Sequence, residues 1–269
     1  MGKLIKYEFV LRGKRMLVFL AAASLLNLGL YLYLRFAADT IESVSAAVTF
    51  FFLFMLFNVF FALLFLDILT SFSRELNHKE GYMLFMAPRD GWQIIGGKLL
   101  SGLLEGLGFL IFFLALAYAN LFVAYGATVR ALVLEALNQF FGFTPQQQSA
   151  AVVTFIVFAL LFLVSVINAV TTAYAAMTLR RGFFSHLRAG WIVTSLTYVV
   201  LGLVISLLML LATKVYPLPT PMDILDASVR LDYLRDLDQC LIVYAMVLAA
   251  ITVLVFYGTG YLLEKKVDF

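Results

Sequence analysis

The chain has 269 residues, of which 64% are hydrophobic and only 13% are charged. A soluble domain has roughly 45–50% apolar and about 25% charged residues, and so few polar side chains cannot cover a soluble globule of this size. The composition therefore predicts a polytopic membrane protein and excludes a cytosolic enzyme, a nucleic-acid-binding module and a disordered chain. The single Cys240 excludes an intrachain disulfide, and His78 and His186 lie in different loops, so no metal site is predicted.

Six apolar stretches have about the 20 residues that a helix needs to cross a bilayer. They cover residues 16–34, 43–70, 99–125, 150–179, 189–213 and 239–263, and we expect the second helix to continue to about Asn77. No stretch alternates with the period of two that a membrane barrel requires. The sequence thus predicts an all-α polytopic membrane protein whose residues 1–269 form one transmembrane domain.

Lysine and arginine residues are concentrated on one side of these spans. Fourteen of the 19 lie at the N-terminus, between spans two and three, between spans four and five, and at the C-terminus. Because basic residues mark the cytoplasmic loops, both termini are predicted to be cytoplasmic. The net charge of +3 is explained by this bias and indicates no nucleic-acid partner.

Two segments on the predicted outer side have apolar residues at helical spacing beside acids. One is 128–141, and the other is 224–237, which follows Pro217, Pro219 and Pro221. We expect both to form helices that lie along the membrane surface. For the region 214–238, a re-entrant segment that dips toward the membrane is the alternative.

The connection 71–98, which reads SFSRELNHKEGYMLFMAPRDGWQIIGGK, has the most informative pattern. Arg74 and Glu75 lie where the second helix leaves the membrane, and Gly81 is expected to break that helix. An apolar turn follows at 82–86 and ends at Pro88.

An N-cap is predicted at Asp90, with Gln93 as its capping-box partner. The apolar turn before it faces the cytoplasm, which predicts a protein partner. The alternative is that the turn folds back onto the base of the helix bundle.

The pattern of Arg74-Glu75, Gly81, an apolar turn, Pro88 and Gly97-Lys98 resembles the core signature of ABC-2-type transporter permeases. The basic N-terminal segment LIKYEFVLRGKR is similar to that family's amphipathic helix on the membrane surface, here 1–15. The expected topology of six spans with cytoplasmic termini also matches. The resemblance implies the membrane subunit of a bacterial ABC exporter in the cytoplasmic membrane.

In that family the motif loop, here 71–98, is a coupling helix that sits in a groove of a separate ATPase. The resemblance implies two ATPase subunits, which bind ATP and magnesium, and a second membrane subunit of the same or a related chain. The cargo would be an amphipathic or hydrophobic compound such as a peptide antibiotic, a drug or a lipid. The implied ATPase-coupling residues are Arg74, Glu75, Gly81, Tyr82, Leu84, Phe85, Pro88 and Arg89, and those of the surface helix are Lys3, Lys6, Glu8 and Arg12.

The chain is not expected to hydrolyse ATP itself, because Leu99 stands where a phosphate-binding loop needs Ser or Thr. Within the surface helix, Glu8 lies between Leu4 and Ile5 on a helical wheel. We expect Glu8 to pair with a base of the 71–98 connection rather than to face lipid.

The acids closest to the membrane are Asp67 and Glu105. A buried carboxylate is costly there, so a role in proton coupling is one interpretation, and it favours the alternative function of a secondary transporter or channel without ATP. The other interpretation is that both acids reach the inner interface or a basic partner.

Small residues on the third span, Gly97, Gly102 and Gly106, predict close helix packing, either within the chain or at a dimer seam. The phenylalanine runs at 50–52, 60–61 and 112–113 are predicted to face mostly lipid.

Overall fold

The computed structural model describes residues 2–37, 42–77, 90–125, 145–184, 190–219 and 227–265. These ranges contain six α-helices and, within them, no strand. The helices are α1 (Gly2–Ala37), α2 (Glu42–Asn77), α3 (Gly91–Tyr125), α4 (Pro145–Phe183), α5 (Gly190–Val215) and α6 (Ala227–Lys265).

Five of these helices, α2 to α6, contain stretches long and apolar enough to cross a membrane, counted over the described residues. The architecture is therefore that of an all-α, multi-pass membrane protein, as predicted. The helix α1 contains the predicted first span, 16–34, but is not among the five.

Two predicted helix boundaries are wrong. The surface helix 1–15 and the span 16–34 belong to one continuous helix, α1, since this stretch has no proline and nothing crowds Gly13. The outer segment 227–237 is likewise continuous with the last span in α6, because no glycine or proline separates them. The remaining predicted surface helix, 128–141, lies outside the described residues.

The 71–98 connection is helical at both ends. Its first seven residues complete α2, which reaches Asn77 as predicted, and its last eight form the first two turns of α3. The apolar turn 82–86 lies outside the described residues, as do Gly81, Pro88 and Arg89.

The chain divides into two units, of which the first contains Met1–Thr70 and Gly96–Phe140. In it α2 runs antiparallel to α3, because Ile68 lies against Gly102 and Phe57 lies against Phe113 further along both helices. The phenylalanine runs are only partly exposed: Phe60 and Phe113 are buried, with ring centroids 5.9 Å apart. Aromatic packing between the helices thus replaces the predicted lipid contact at these positions.

The second unit contains Ser71–Ile95 and Phe141–Phe269. In it α4 packs along α6, and α5 contacts both. The stretch 171–176 of α4 is buried, and the Tyr174 ring packs against Phe72 of α2 at a tilt of 34°, with ring centroids 4.2 Å apart.

The start of α3 also belongs to the second unit. A Cβ at Gly91 would lie 2.6 Å from the carbonyl oxygen of Gly260, so only glycine fits this crossing with α6. The Gly91 N–H donates to Glu264 Oε1 (2.5 Å), and Gln93 Nε2 donates to Asp90 Oδ2 (3.2 Å). The helix therefore begins after Asp90 as predicted, and the Gln93 backbone N–H donates to the Asp90 carbonyl oxygen. The Gln93 side chain bonds the Asp90 carboxylate instead of accepting from the Asp90 N–H, as a capping box would require.

Candidate functional site: a buried cluster of charges

Six charged side chains meet within the first unit, and we call them the charged cluster: Glu8, Arg12, Arg15, Asp67, Lys98 and Glu105. Three of them come from α1, where Glu8, Arg12 and Arg15 are spaced four and three residues apart and so share one helix face. Arg12 Nη2 lies 3.0 Å from Glu8 Oε2 within this face.

The helix α3 contributes Lys98 and Glu105, which are two turns apart on one face. Lys98 Nζ donates to Glu8 Oε1 at 2.5 Å, and Arg12 Nη1 donates to Glu105 Oε2 at 3.4 Å. All four side chains are completely buried. An ion buried this way needs an opposite charge in contact, because the cost of its desolvation is otherwise uncompensated.

The helix α2 contributes Asp67, which forms an ion pair with Arg15 of α1. The Asp67 side chain is 9% exposed and that of Arg15 is 36% exposed, so this pair lies at the edge of the cluster. The three acids and three bases cancel in charge. The cluster thus joins α1, α2 and α3 without leaving a net charge inside the apolar part of the chain.

The cluster confirms the prediction about Glu8 and shows one of the alternatives that the sequence left open for Asp67 and Glu105. Glu8 pairs with a base of the 71–98 connection, which is Lys98, and Asp67 and Glu105 each have a basic partner. The partners of the two acids, Arg15 and Arg12, were not predicted.

The resemblance places Arg12 in a helix on the membrane surface, and the structure buries its side chain against Glu105 of α3. The ion pair with Glu105 compensates for the desolvation of the buried Arg12 guanidinium. Lys6 is exposed, and the side chain of Lys3 lies outside those described.

Of the residues assigned to ATPase coupling, Arg74 is exposed and Glu75 is half-buried at the end of α2. Tyr82, Leu84 and Phe85 lie outside the described ranges.

The glycines of α3 differ in how closely they are packed. A Cβ at Gly102 would lie 3.0 Å from Ile68 Cδ1 of α2, which confirms close packing within the chain. A Cβ at Gly106 would lie 3.8 Å from Leu64 Cδ2, which is an ordinary van der Waals distance. Gly97 is buried.

Sequence reasoning missed the amide contacts. Asn27 of α1 and Asn120 of α3 bond reciprocally, with Asn120 Nδ2 donating to Asn27 Oδ1 at 2.7 Å and the return bond at 3.4 Å. In the second unit, Asn168 Nδ2 of α4 donates to Thr252 Oγ1 of α6 at 2.9 Å. The available signal was the presence of asparagine within apolar spans, where such side chains bond across helices.

The described residues include no group of three His, Cys, Asp or Glu side chains that could hold a metal ion. No protein-family model, no curated protein and no solved structure matches this chain.

Proposed function

We propose that this chain is the membrane-spanning subunit of an ATP-driven exporter of the ABC-2 type. The observation that carries the proposal is the ion pair between Glu8 and Lys98. It joins the two parts of the sequence that resemble the family, the basic N-terminal segment and the Gly-Lys that closes the motif. A motif segment held at its end in this way is suited to receive force from a partner and pass it to the helices.

The proposed topology has six spans with both termini in the cytoplasm. Arg12 of α1 pairs with Glu105 of α3. A second contact, between Asn27 and Asn120, lies 15 residues further along each of the two helices. The helices α1 and α3 therefore run in the same direction and contact each other at two points about 22 Å apart along their axes. A helix that accompanies α3 for this distance crosses the membrane with it, which supports α1 as the sixth span.

The energy source is proposed to be a pair of separate ATPase subunits that bind ATP and magnesium, docked on the segment between α2 and α3. A second membrane subunit would complete the path, in a bacterial cytoplasmic membrane. The cargo class that fits is an amphipathic or hydrophobic compound, since the buried charges of the first unit neutralise one another. The same pairing argues against the alternative function of a proton-coupled transporter, because Asp67 and Glu105 each form an ion pair with an arginine.

The test is co-purification from native membranes. The tagged chain is extracted in mild detergent, and the amount of bound P-loop ATPase is measured by mass spectrometry and by ATP hydrolysis. The double variant Leu84→Asp/Phe85→Asp places two carboxylates on the apolar turn. Binding should weaken by about a hundredfold or more, since unpaired carboxylates in an apolar groove cost at least about 2.8 kcal/mol.

The matched control is Phe183→Asp/Phe184→Asp, which charges two exposed aromatic residues at the end of α4 on the same predicted side. This control should retain the ATPase. Retention of the ATPase by the Leu84 and Phe85 double variant would contradict the proposed docking site.

A further inference from the structure

The asparagines within the apolar helices fall into two groups. Asn27, Asn120 and Asn168 are buried, and each bonds a side chain of another helix. Asn58 of α2 is exposed, and its Nδ2 donates to the Phe54 carbonyl oxygen of its own helix at 2.8 Å. Within the described part of the chain, nothing donates to the Asn58 Oδ1 atom.

Asn58 lies at the middle of α2, 16 residues from both Glu42 and Arg74. At 1.5 Å per residue it is about 24 Å from either charged end. That position falls inside a hydrocarbon core about 30 Å thick. Acyl chains offer no hydrogen bonds, so an outward-facing amide there is poorly satisfied by lipid.

The surroundings of Asn58 form one continuous exposed face of α2. Its members recur at helical spacing and include Phe51, Phe54, Val59, Ala62 and Leu66. The opposite face, with Leu56, Phe60 and Leu64, is buried within the first unit. Ala62 lies one turn after Asn58, and a small residue at this spacing lets two helix backbones approach closely.

We propose that this face of α2 packs against the same face of a second copy of the chain, with the two Asn58 amides bonded to each other. An amide has both donors and an acceptor, so it is complementary to itself. In a two-fold interface a residue on the axis meets its own copy, which brings two such amides together. The Asn27–Asn120 pair shows the same reciprocal amide contact between helices of this chain.

The inference rests on the proposed function in one respect, which is that the complex contains two membrane subunits. It identifies the second subunit as an identical chain and α2 as the contact. Neither the geometry of Asn58 nor its test involves the ATPase.

The first test is disulfide cross-linking in native membranes, in a Cys240→Ala background that removes the only cysteine. With a mild oxidant, Asn58→Cys and Ala62→Cys should each form a covalent dimer. The matched control is Leu254→Cys on α6. The Leu254 side chain is 72% exposed, more than the neighbours of Asn58, but it lies on another helix. Cross-linking of Asn58→Cys no stronger than that of Leu254→Cys would overturn the proposal.

The second test measures the dimer without covalent capture, by energy transfer between labelled chains diluted in lipid vesicles. Asn58→Leu should weaken the dimer by about five- to thirtyfold, the range expected for side-chain hydrogen bonds between membrane helices. Asn58→Gln keeps the amide and should retain most of the affinity. Equal affinity of the wild-type chain and Asn58→Leu would also overturn the proposal.

The two proposals fail separately. If the ATPase co-purifies but Asn58→Cys does not cross-link, the interface on α2 is wrong and the exporter assignment stands. If the cross-link forms but no ATPase binds, the interface stands and the exporter assignment is wrong.

Discussion

Among the described residues, the helices of the first unit are joined by ion pairs as well as by the Asn27–Asn120 amides. Those of the second unit are joined by hydrogen bonds to a hydroxyl and a carboxylate and by close packing of small side chains. In the first unit, α1 and α3 are connected by the Glu8–Lys98 and Arg12–Glu105 ion pairs. In the second unit, α4 and α6 are connected by the bond from Asn168 to Thr252, and Ala173 and Ala176 of α4 are buried.

The difference follows from whether a polar side chain can find a hydrogen-bond or ion-pair partner within its own helix. Thr171 and Thr178 of α4 donate to carbonyl oxygens four residues earlier, at 2.7 and 2.9 Å. A threonine is thus satisfied locally and acts between helices mainly through its small size. A buried arginine or lysine needs an anion, so Arg12 and Lys98 depend on acids of a neighbouring helix. We therefore expect the first unit to be far more sensitive to single substitutions than the second.

The largest effect is expected from Arg12→Met, which removes the cation shared by Glu8 and Glu105. Breaking a buried ion pair on one side costs about 3–5 kcal/mol, because the remaining charge is left uncompensated. The free energy of unfolding, measured by SDS titration in mixed micelles, should fall by that amount.

The control for this prediction is the double variant Arg12→Met/Glu105→Leu, which removes both charges of the contact between α1 and α3. Its stability should recover by a large part of the loss, since no unpaired Glu105 carboxylate remains. A single variant as stable as the wild type would show that the charged cluster does not hold the first unit together.

An intermediate effect is expected from Gly102→Leu at the crossing of α2 and α3. A Cβ there would be 3.0 Å from Ile68 Cδ1, and overpacking of this kind typically costs about 1–3 kcal/mol. Adding Ile68→Ala to the Gly102→Leu chain should restore part of the lost stability, because it removes the atoms that the new side chain would meet. Gly108→Leu is the matched control, because nothing lies within 4 Å of its Cβ position. Equal destabilisation by both glycine variants would contradict close packing at Gly102.

The smallest effect is expected from Thr252→Val in the second unit, which keeps the shape of the side chain and removes the acceptor for Asn168. Hydrogen bonds between membrane helices contribute about 0.6–2 kcal/mol, so unfolding should become easier by that amount. If this variant lost as much stability as Arg12→Met in the same titration, the proposed contrast between the two units would be wrong.

Hydropathy and the position of charged residues were enough to predict the helical class, the end of α2 and the start of α3. They also predicted that Glu8 pairs with a base of the 71–98 connection, which is Lys98. For Asp67 and Glu105 a basic partner was one of the interpretations left open, and the structure shows it for both. They did not predict which base each acid meets, since Arg12 and Arg15 come close to α3 and α2 only through packing of the helices.

The errors have a common cause, which is that composition changes along a helix without ending it. The stretch 1–15 is polar and 16–34 is apolar, yet no helix-breaking residue lies between them, and α1 is continuous. The same holds for the acidic start of α6. The amide contacts were missed because a lone asparagine gives no sign of its partner, and Asn27 and Asn120 are 93 residues apart.

Photocross-linking from the segment between α2 and α3 shows whether that segment docks an ATPase, as we propose. A photoreactive amino acid replaces Phe85 in the full chain, native membranes are irradiated, and the cross-linked partner is identified by mass spectrometry. We expect a covalent product with a P-loop ATPase, which the same probe at the exposed Val153 of α4 does not give. Cross-links from position 85 to residues of this chain alone would contradict it, because the apolar turn would then fold back onto its own helix bundle.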